Sequence, residues 1–128
     1  MHGQEVIIGG LRDAEFGPMI LFVLGGVFVE IVHDVAYRLV PASSHELRAM
    51  IREVRGYPLL TGLRGRASSD LEALASTLQA AAWVLDVFPE IIELDLNPVF
   101  VGPHGAIVAD GRAVLAETTE QKGKRHAR

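Results

Sequence analysis

The sequence predicts an α+β fold: a mostly antiparallel sheet with two main helices on one face. Three observations carry that expectation. Short β-branched runs are separated by glycines, two capping-box patterns each open a stripe of apolar residues at helical spacing, and a late segment switches to strict alternation. With 128 residues, 49% of them hydrophobic, the chain can bury one substantial core and has little room for a second.

Val6-Ile7-Ile8 reads as a strand that ends near Gly9-Gly10 or continues to Leu11. Met19–Leu24 and Val27–Val32 flank Gly25-Gly26, a pair suited to the positive φ of a two-residue turn, so a hairpin is expected there. Asp34 marks a turn, and Val35–Val40 is one more strand closed by Pro41, which cannot donate a ladder hydrogen bond. Ser43 and Glu46 form a capping box before Leu47, Met50, Ile51 and Val54, which share one helical face. Gly56-Tyr57-Pro58 stops that helix, and residues 61–68 read as an exposed loop. Ser69 and Glu72 form the second box. Leu71, Leu74, Ala75, Leu78, Ala82 and Leu85 then predict a helix over 70–87, with Trp83 and Phe88 as core anchors.

From Ile92 the period becomes two. Ile92, Leu94 and Leu96 alternate with Glu93, Asp95 and Asn97, giving one apolar strand face and one rich in oxygen. After Pro98 the strand resumes as Val99-Phe100-Val101, turns over 102–105 and returns as residues 106–110. The segment 116–128 has little apolar content and carries Lys122, Lys124, Arg125 and Arg128, which predicts a disordered basic tail after a folded unit spanning 3–115.

The composition excludes several function classes. A net charge of −4 without a basic face argues against nucleic acid, and the absence of cysteine excludes disulfides, thiolate metal sites and cysteine nucleophiles. The most apolar stretch, 18–32, is broken by Gly25-Gly26 and carries Glu30, so no membrane segment is expected, and the amino terminus lacks a signal-peptide layout. A cytoplasmic location is the expectation.

The chemistry points to Asp95, Asn97 and Asp110. If the late hairpin pairs symmetrically about its turn, Asn97 and Asp110 lie opposite one another, with Cβ atoms about 5 Å apart unless Pro98 shifts the register. An amide oxygen beside a carboxylate suits Mg²⁺, which takes one or two carboxylates and completes its shell with water and substrate phosphates. The same residues also suit a turn start and a strand cap. Gly25-Gly26 is either a phosphate-approach loop or an ordinary turn, and Arg38 and Arg64 are either anion forks or solvated surface. His33, His45 and His104 have no visible carboxylate partner or ligand spacing and read as surface residues.

The ordered motifs resemble one family over residues 3–115. They are residues 4–9; Arg12-Asp13 with Phe16-Gly17-Pro18; residues 24–30; Tyr57-Pro58-Leu59-Leu60 with Arg64-Gly65; residues 93–98; and Asp110-Gly111-Arg112. Together they are similar to the carboxy-terminal part of the ATP-grasp domain of ADP-forming acetyl-CoA and acyl-CoA synthetases, and more distantly to the succinyl-CoA synthetase β subunit. The resemblance implies an acid-thiol ligase that passes a phosphoryl group through an acyl phosphate and a phosphohistidine to a nucleotide, with ATP or ADP and Mg²⁺ as cofactors. It implies Asn97 and Asp110 as metal ligands and Asp95 as the catalytic carboxylate near the incoming phosphohistidine, orienting its imidazole and stabilising its charge. Gly25, Gly26, Glu30 and Arg38 are the candidates for holding nucleotide.

It further implies partners: a first ATP-grasp lobe, expected to be missing before Gln4, and a CoA-binding subunit or domain, without which the chain is not expected to turn over. The family is compatible with an oligomer. Val23 stands where many relatives carry glycine, and Gly111 where alanine is usual. The rival expectation is a non-catalytic binding or assembly module derived from the same fold, and a weaker one is a small regulatory domain that takes an acyl or nucleotide effector on Arg38 or Arg64.

Overall fold

A computed structural model describes residues 3–25, 34–62 and 67–117. The strands are β1 (Gln4–Asp13), β2 (Gly17–Leu24), β3 (Val35–Leu39), β4 (Ile91–Gly102), β5 (Gly105–Val108) and β6 (Gly111–Leu115). The helices are α1 (Ser44–Glu53), α2 (Tyr57–Leu60) and α3 (Leu71–Val87). The sheet runs β3-β2-β1-β4-β5, with β6 also on β4, and every pairing is antiparallel. This is the α+β arrangement expected from the sequence.

β1 passes through Gly9-Gly10 and reaches Asp13, because both neighbours give it a full ladder. It turns directly into β2, a hairpin the sequence reading did not place. Asp13 builds that turn: its Oδ1 accepts the backbone N–H of Glu15 and Phe16 at 2.8 and 2.9 Å. Gly17 closes it with φ +81°, a conformation that disfavours any side chain. The hairpin expected at Gly25-Gly26 involves residues 26–33, which lie outside the described residues, as do Gly26, Glu30, His33 and Arg64.

Ser43 caps α1 as expected, accepting the N–H of Glu46 at 3.1 Å. The cap of α3 is Asp70 rather than Ser69: Asp70 Oδ1 accepts from Ala73 at 3.0 Å, while the Ser69 hydroxyl donates to the Val101 carbonyl. A carboxylate at this position also complements the helix dipole. Arg12 serves the other end of α3, donating to the carbonyls of Leu85, Phe88 and Ile91.

The core lies between the helices and one sheet face. Val6, Ile8, Ile20, Phe22, Ala36, Val99 and Val101 meet Leu47, Met50, Leu74, Leu78 and Leu85. Gly10 lets α3 approach, since a Cβ there would collide with the Leu85 side chain. Burying such side chains contributes about 1.5–3 kcal/mol each. Trp83 corrects its expected placement: it is 59% exposed on the outer side of α3, with Phe88 packed edge-on at 6.0 Å. α3 has more apolar positions than its inner face accommodates. Ile92 is 37% exposed, because a register shift between Ile91 and Glu93 gives the core seat to Ile91.

Candidate functional site

Among the described residues, no helix packs on the opposite sheet face. On β4, Glu93 and Asp95 project there, because their intervening neighbours Leu94 and Leu96 pack toward the core. Gly9 of β1 stands across from Asp95, beside Leu21 of β2. Leu39 and Tyr37 continue this face on β3, about half exposed.

The late hairpin has one unbroken register. Val99 pairs with Val108 on β5, and Leu96 with Gly111 and Asp95 with Arg112 on β6. Each pair has the same numerical sum, so β5 and β6 act as one partner strand interrupted at Ala109-Asp110. Within that interruption the Asn97 N–H donates to the Asp110 carbonyl at 3.0 Å, and the Ala109 N–H donates to the Pro98 carbonyl at 3.0 Å. Asn97 and Asp110 are therefore directly opposite, as symmetric pairing predicts.

Pro98, which follows a cis peptide bond, displaces the other side of β4 instead. The β1 ladder slips between Val6 and Ile8, so that Ile8 faces Leu96 while Val6 faces Val99. A proline without an N–H explains why the irregularity falls at that residue.

Asn97 and Asp110 are both exposed, whereas Asp95 is half-buried. Among the described residues, the side chains of Glu93, Asp95, Asn97, Asp110 and Arg112 make no hydrogen bond or ion pair. No group of three or more histidines or carboxylates suited to a metal exists among the described residues. An Asn–Asp pair is nonetheless an all-oxygen donor set, which fits Mg²⁺ when substrate phosphates and water complete the shell. Beside it a depression of about 200 Å³ is lined by Gly9, Leu11, Glu93, Asp95, Arg112 and Val114. A larger cleft of about 340 Å³ lies near Gly3, Leu59, Ser69 and Pro103, but no titratable side chain among the described residues lines it.

The structure brings Asp95, Asn97 and Asp110 to one ribbon. Gly25 directly follows β2 on the same side, its N–H bonded to the Glu5 carbonyl at 2.8 Å. Arg38 is elsewhere. It pairs with Ile20 on the helix side and is held by Glu46 at 3.0 Å, by Glu53 at 2.7 Å and by the Tyr37 carbonyl. These contacts raise its pKa and hold the Glu53 carboxyl below its ordinary value, chiefly through the hydrogen bond between them. The sequence reading quoted Arg112 without giving it a role, although the arithmetic that pairs Asn97 with Asp110 also pairs Arg112 with Asp95.

Residues 1–115 match the ATP-grasp domain family. The chain belongs to that family. This ATP-grasp chain is 43% identical over 113 residues to the β subunit of ADP-forming acetate–CoA ligase I from Pyrococcus furiosus, covering 88% of the chain and 49% of the subunit. It is 45% identical over 115 residues to ADP-forming acetate–CoA ligase I from Archaeoglobus fulgidus, covering 90% of the chain and 17% of that protein. The chain thus spans about half the length of the curated β subunit it matches. Its fold superposes with a TM-score of 0.86 and 46% identity on dinucleotide-forming acetyl-coenzyme A synthetase 1 of Ca. Korarchaeum cryptofilum, covering 91% of this chain and 55% of the other. That synthetase was crystallised with coenzyme A and Mg-AMPPCP, its phosphohistidine segment pointing towards the nucleotide-binding site. Among the described residues no helix is long and apolar enough to cross a membrane.

Proposed function

We propose that this chain supplies the metal-nucleotide half of an ADP-forming acyl-CoA ligase site, acting with segments that correspond to the remaining half of its β-subunit relatives. The observation that carries this reading is the pairing of Asn97 with Asp110, on a sheet face that no described helix covers and next to an Asp95 without a partner among the described residues. Asn97 and Asp110 would hold Mg²⁺ through their side-chain oxygens. The bound ion offsets negative charge on nucleotide phosphate oxygens.

The remaining work belongs to position and charge, which dominate phosphoryl transfer. Gly25 follows β2 with its N–H bonded to the Glu5 carbonyl and no Cβ of its own, which keeps the chain close to β1 at that edge. Asp95 accepts the ring N–H of a phosphohistidine and orients it. Leu21, Tyr37 and Leu39 present an apolar floor to the nucleotide. Alone, the chain does not turn over, because half of the nucleotide contacts and all acyl-CoA contacts come from the complementary segments. Arg38 acts as a strut between β3 and α1 and is not a nucleotide ligand.

The test is calorimetry of MgADP with the chain, mixed with the half of the Pyrococcus furiosus β subunit that the chain does not cover. Asp110→Ala is expected to weaken binding about tenfold or more and to abolish its Mg²⁺ dependence. Unchanged affinity and metal dependence in that variant would overturn the assignment.

A further inference from the structure

Independently of the nucleotide reading, we propose that the basic segment 118–128 of this chain docks on the outer side of α3, with a lysine or arginine side chain laid against Trp83 and its charge on Asp86. The seat is a groove of about 200 Å³ on the helix side, bounded by Pro41, Ala42 and Leu47 on one flank and by Ala82, Trp83 and Asp86 on the other. It lies across the sheet from the open face that carries Asp95.

The walls of this groove and its charge are unlike. Pro41, Ala42, Leu47 and Ala82 are apolar, and Trp83 is 59% exposed. Beside them the Asp86 carboxylate makes no hydrogen bond or ion pair among the described residues. Asp86 stands in the last turn of α3, which holds no basic residue, and exposed Glu90 follows it. The partial negative charge of a helix carboxy terminus favours a cation, so Asp86 has the wrong sign for its place. Arg12 serves the same helix end, but its guanidinium is engaged by the carbonyls of Leu85, Phe88 and Ile91. The solvent side of the turn therefore sets an exposed indole next to negative charge that no described cation offsets.

That combination selects a long cationic side chain. An aliphatic stem covers apolar wall while the head reaches the carboxylate, and a cation over an indole face gains from the ring's negative quadrupole. The groove is smaller than the roughly 300–1,000 Å³ of small-molecule sites and suits one side chain of a peptide. A second copy of the chain is a poor occupant, since a twofold contact through this end of α3 would set Asp86 and Glu90 against their own counterparts.

The source of the cation is within reach. Residues 121–128 include Lys122, Lys124, Arg125 and Arg128 and no acid. The described chain leaves β6 beside the end of α3: the Ala116 N–H donates to the Glu90 carbonyl at 2.7 Å, and Phe88, just before that loop, packs edge-on against Trp83 at 6.0 Å. An extended chain from Ala116 to Lys122 spans about 20 Å. A tether replaces a bimolecular encounter with a local concentration in the millimolar range, so contacts too weak to hold a free peptide can hold this one. Docking through side-chain charge asks for no fold in the segment itself.

Trp83 is the only tryptophan in the sequence, so its fluorescence reads the groove alone. The test is acrylamide quenching of the full chain and of a four-site variant carrying Lys122→Ser, Lys124→Ser, Arg125→Ser and Arg128→Ser. The variant is expected to be quenched about twofold more strongly than the parent, with its emission shifted to the red, because water and quencher then reach the indole. Molar salt should move the parent toward the variant and leave the variant unchanged, since the Debye length falls to about 3 Å. Asp86→Asn should act in the same direction with a smaller effect, and it decides alone if circular dichroism shows the four-site variant unfolded. A control carrying Arg52→Ser and Arg55→Ser removes two exposed cations at the end of α1 and should change neither quenching nor emission.

The docking is overturned if the folded four-site variant quenches and emits as the parent does, or if Asp86→Asn has no effect. Protection of Trp83 that fades when the parent is diluted would assign the groove to a second copy, and protection lost equally in the control would reduce the effect to net charge. Either result also overturns the proposal.

Discussion

The two faces of the sheet treat charge in opposite ways. On the helix side every strongly engaged charged group closes on a partner within the chain: Arg38 on Glu46 and Glu53, Arg12 on the end of α3, and Asp34 on the Arg55 and Gly56 amides at 2.6 and 2.8 Å. Asp34 is only 8% exposed, so its two hydrogen bonds are what make a buried carboxylate tolerable. On the open side Glu93, Asp95, Asn97, Asp110 and Arg112 sit within two adjoining strands and leave their side chains unspent among the described residues. Folding accounts for the first set. The second contributes little to holding the chain together, and that surplus is the physical mark of a site.

Stability measurements can break this contrast. The largest effect should come from Asp34→Ala, which strands two part-buried backbone donors beside α1; urea unfolding should show a loss of about 1–3 kcal/mol. A smaller effect is expected at Glu53. Its carboxyl is held below its ordinary value of 4.5 by the hydrogen bond from Arg38 and by that cation's charge, against an opposing effect of burial. A depressed folded pKa means that the pair's stabilisation is complete above the ordinary value and is lost as pH falls through the folded one. Glu53→Gln should therefore cost about 0.2–1 kcal/mol at pH 7, since the pair is partly screened by water, and the gap to the parent should close as pH drops below 4.5. The smallest effect belongs to the open side: Asp110→Ala should change unfolding free energy by no more than about 0.5 kcal/mol, in either direction. A loss there as large as that of Asp34→Ala would make Asp110 a structural residue and dissolve the comparison.

Much of this contrast was legible in the sequence because it follows from short-range rules. The Ser43–Glu46 cap, the apolar stripe of α3 and the alternation around Asp95 are all local patterns, and symmetric pairing about the late turn placed Asn97 opposite Asp110. What failed was decided by competition between neighbours. Asp70 took the cap from Ser69, whose hydroxyl found the Val101 carbonyl, and Ile91 took the core seat from Ile92 through a one-residue slip. Trp83 was misplaced because a helix can display more apolar surface than its sheet covers, which composition alone does not reveal. Arg38 illustrates the remaining gap. Its partners are eight and fifteen residues away, on a helix whose facing direction depends on the whole packed layer.

The shared register of β5 and β6 along β4 has a practical use. Pro103 and His104 form an exposed tip whose flanking strands are already locked by ladders on both sides of the Asn97–Asp110 row. Extra residues spliced between them would lengthen only the loop, at a cost that rises slowly with its size. A tether or dye introduced at that tip would anchor the molecule to a surface with its ligand-facing side left free.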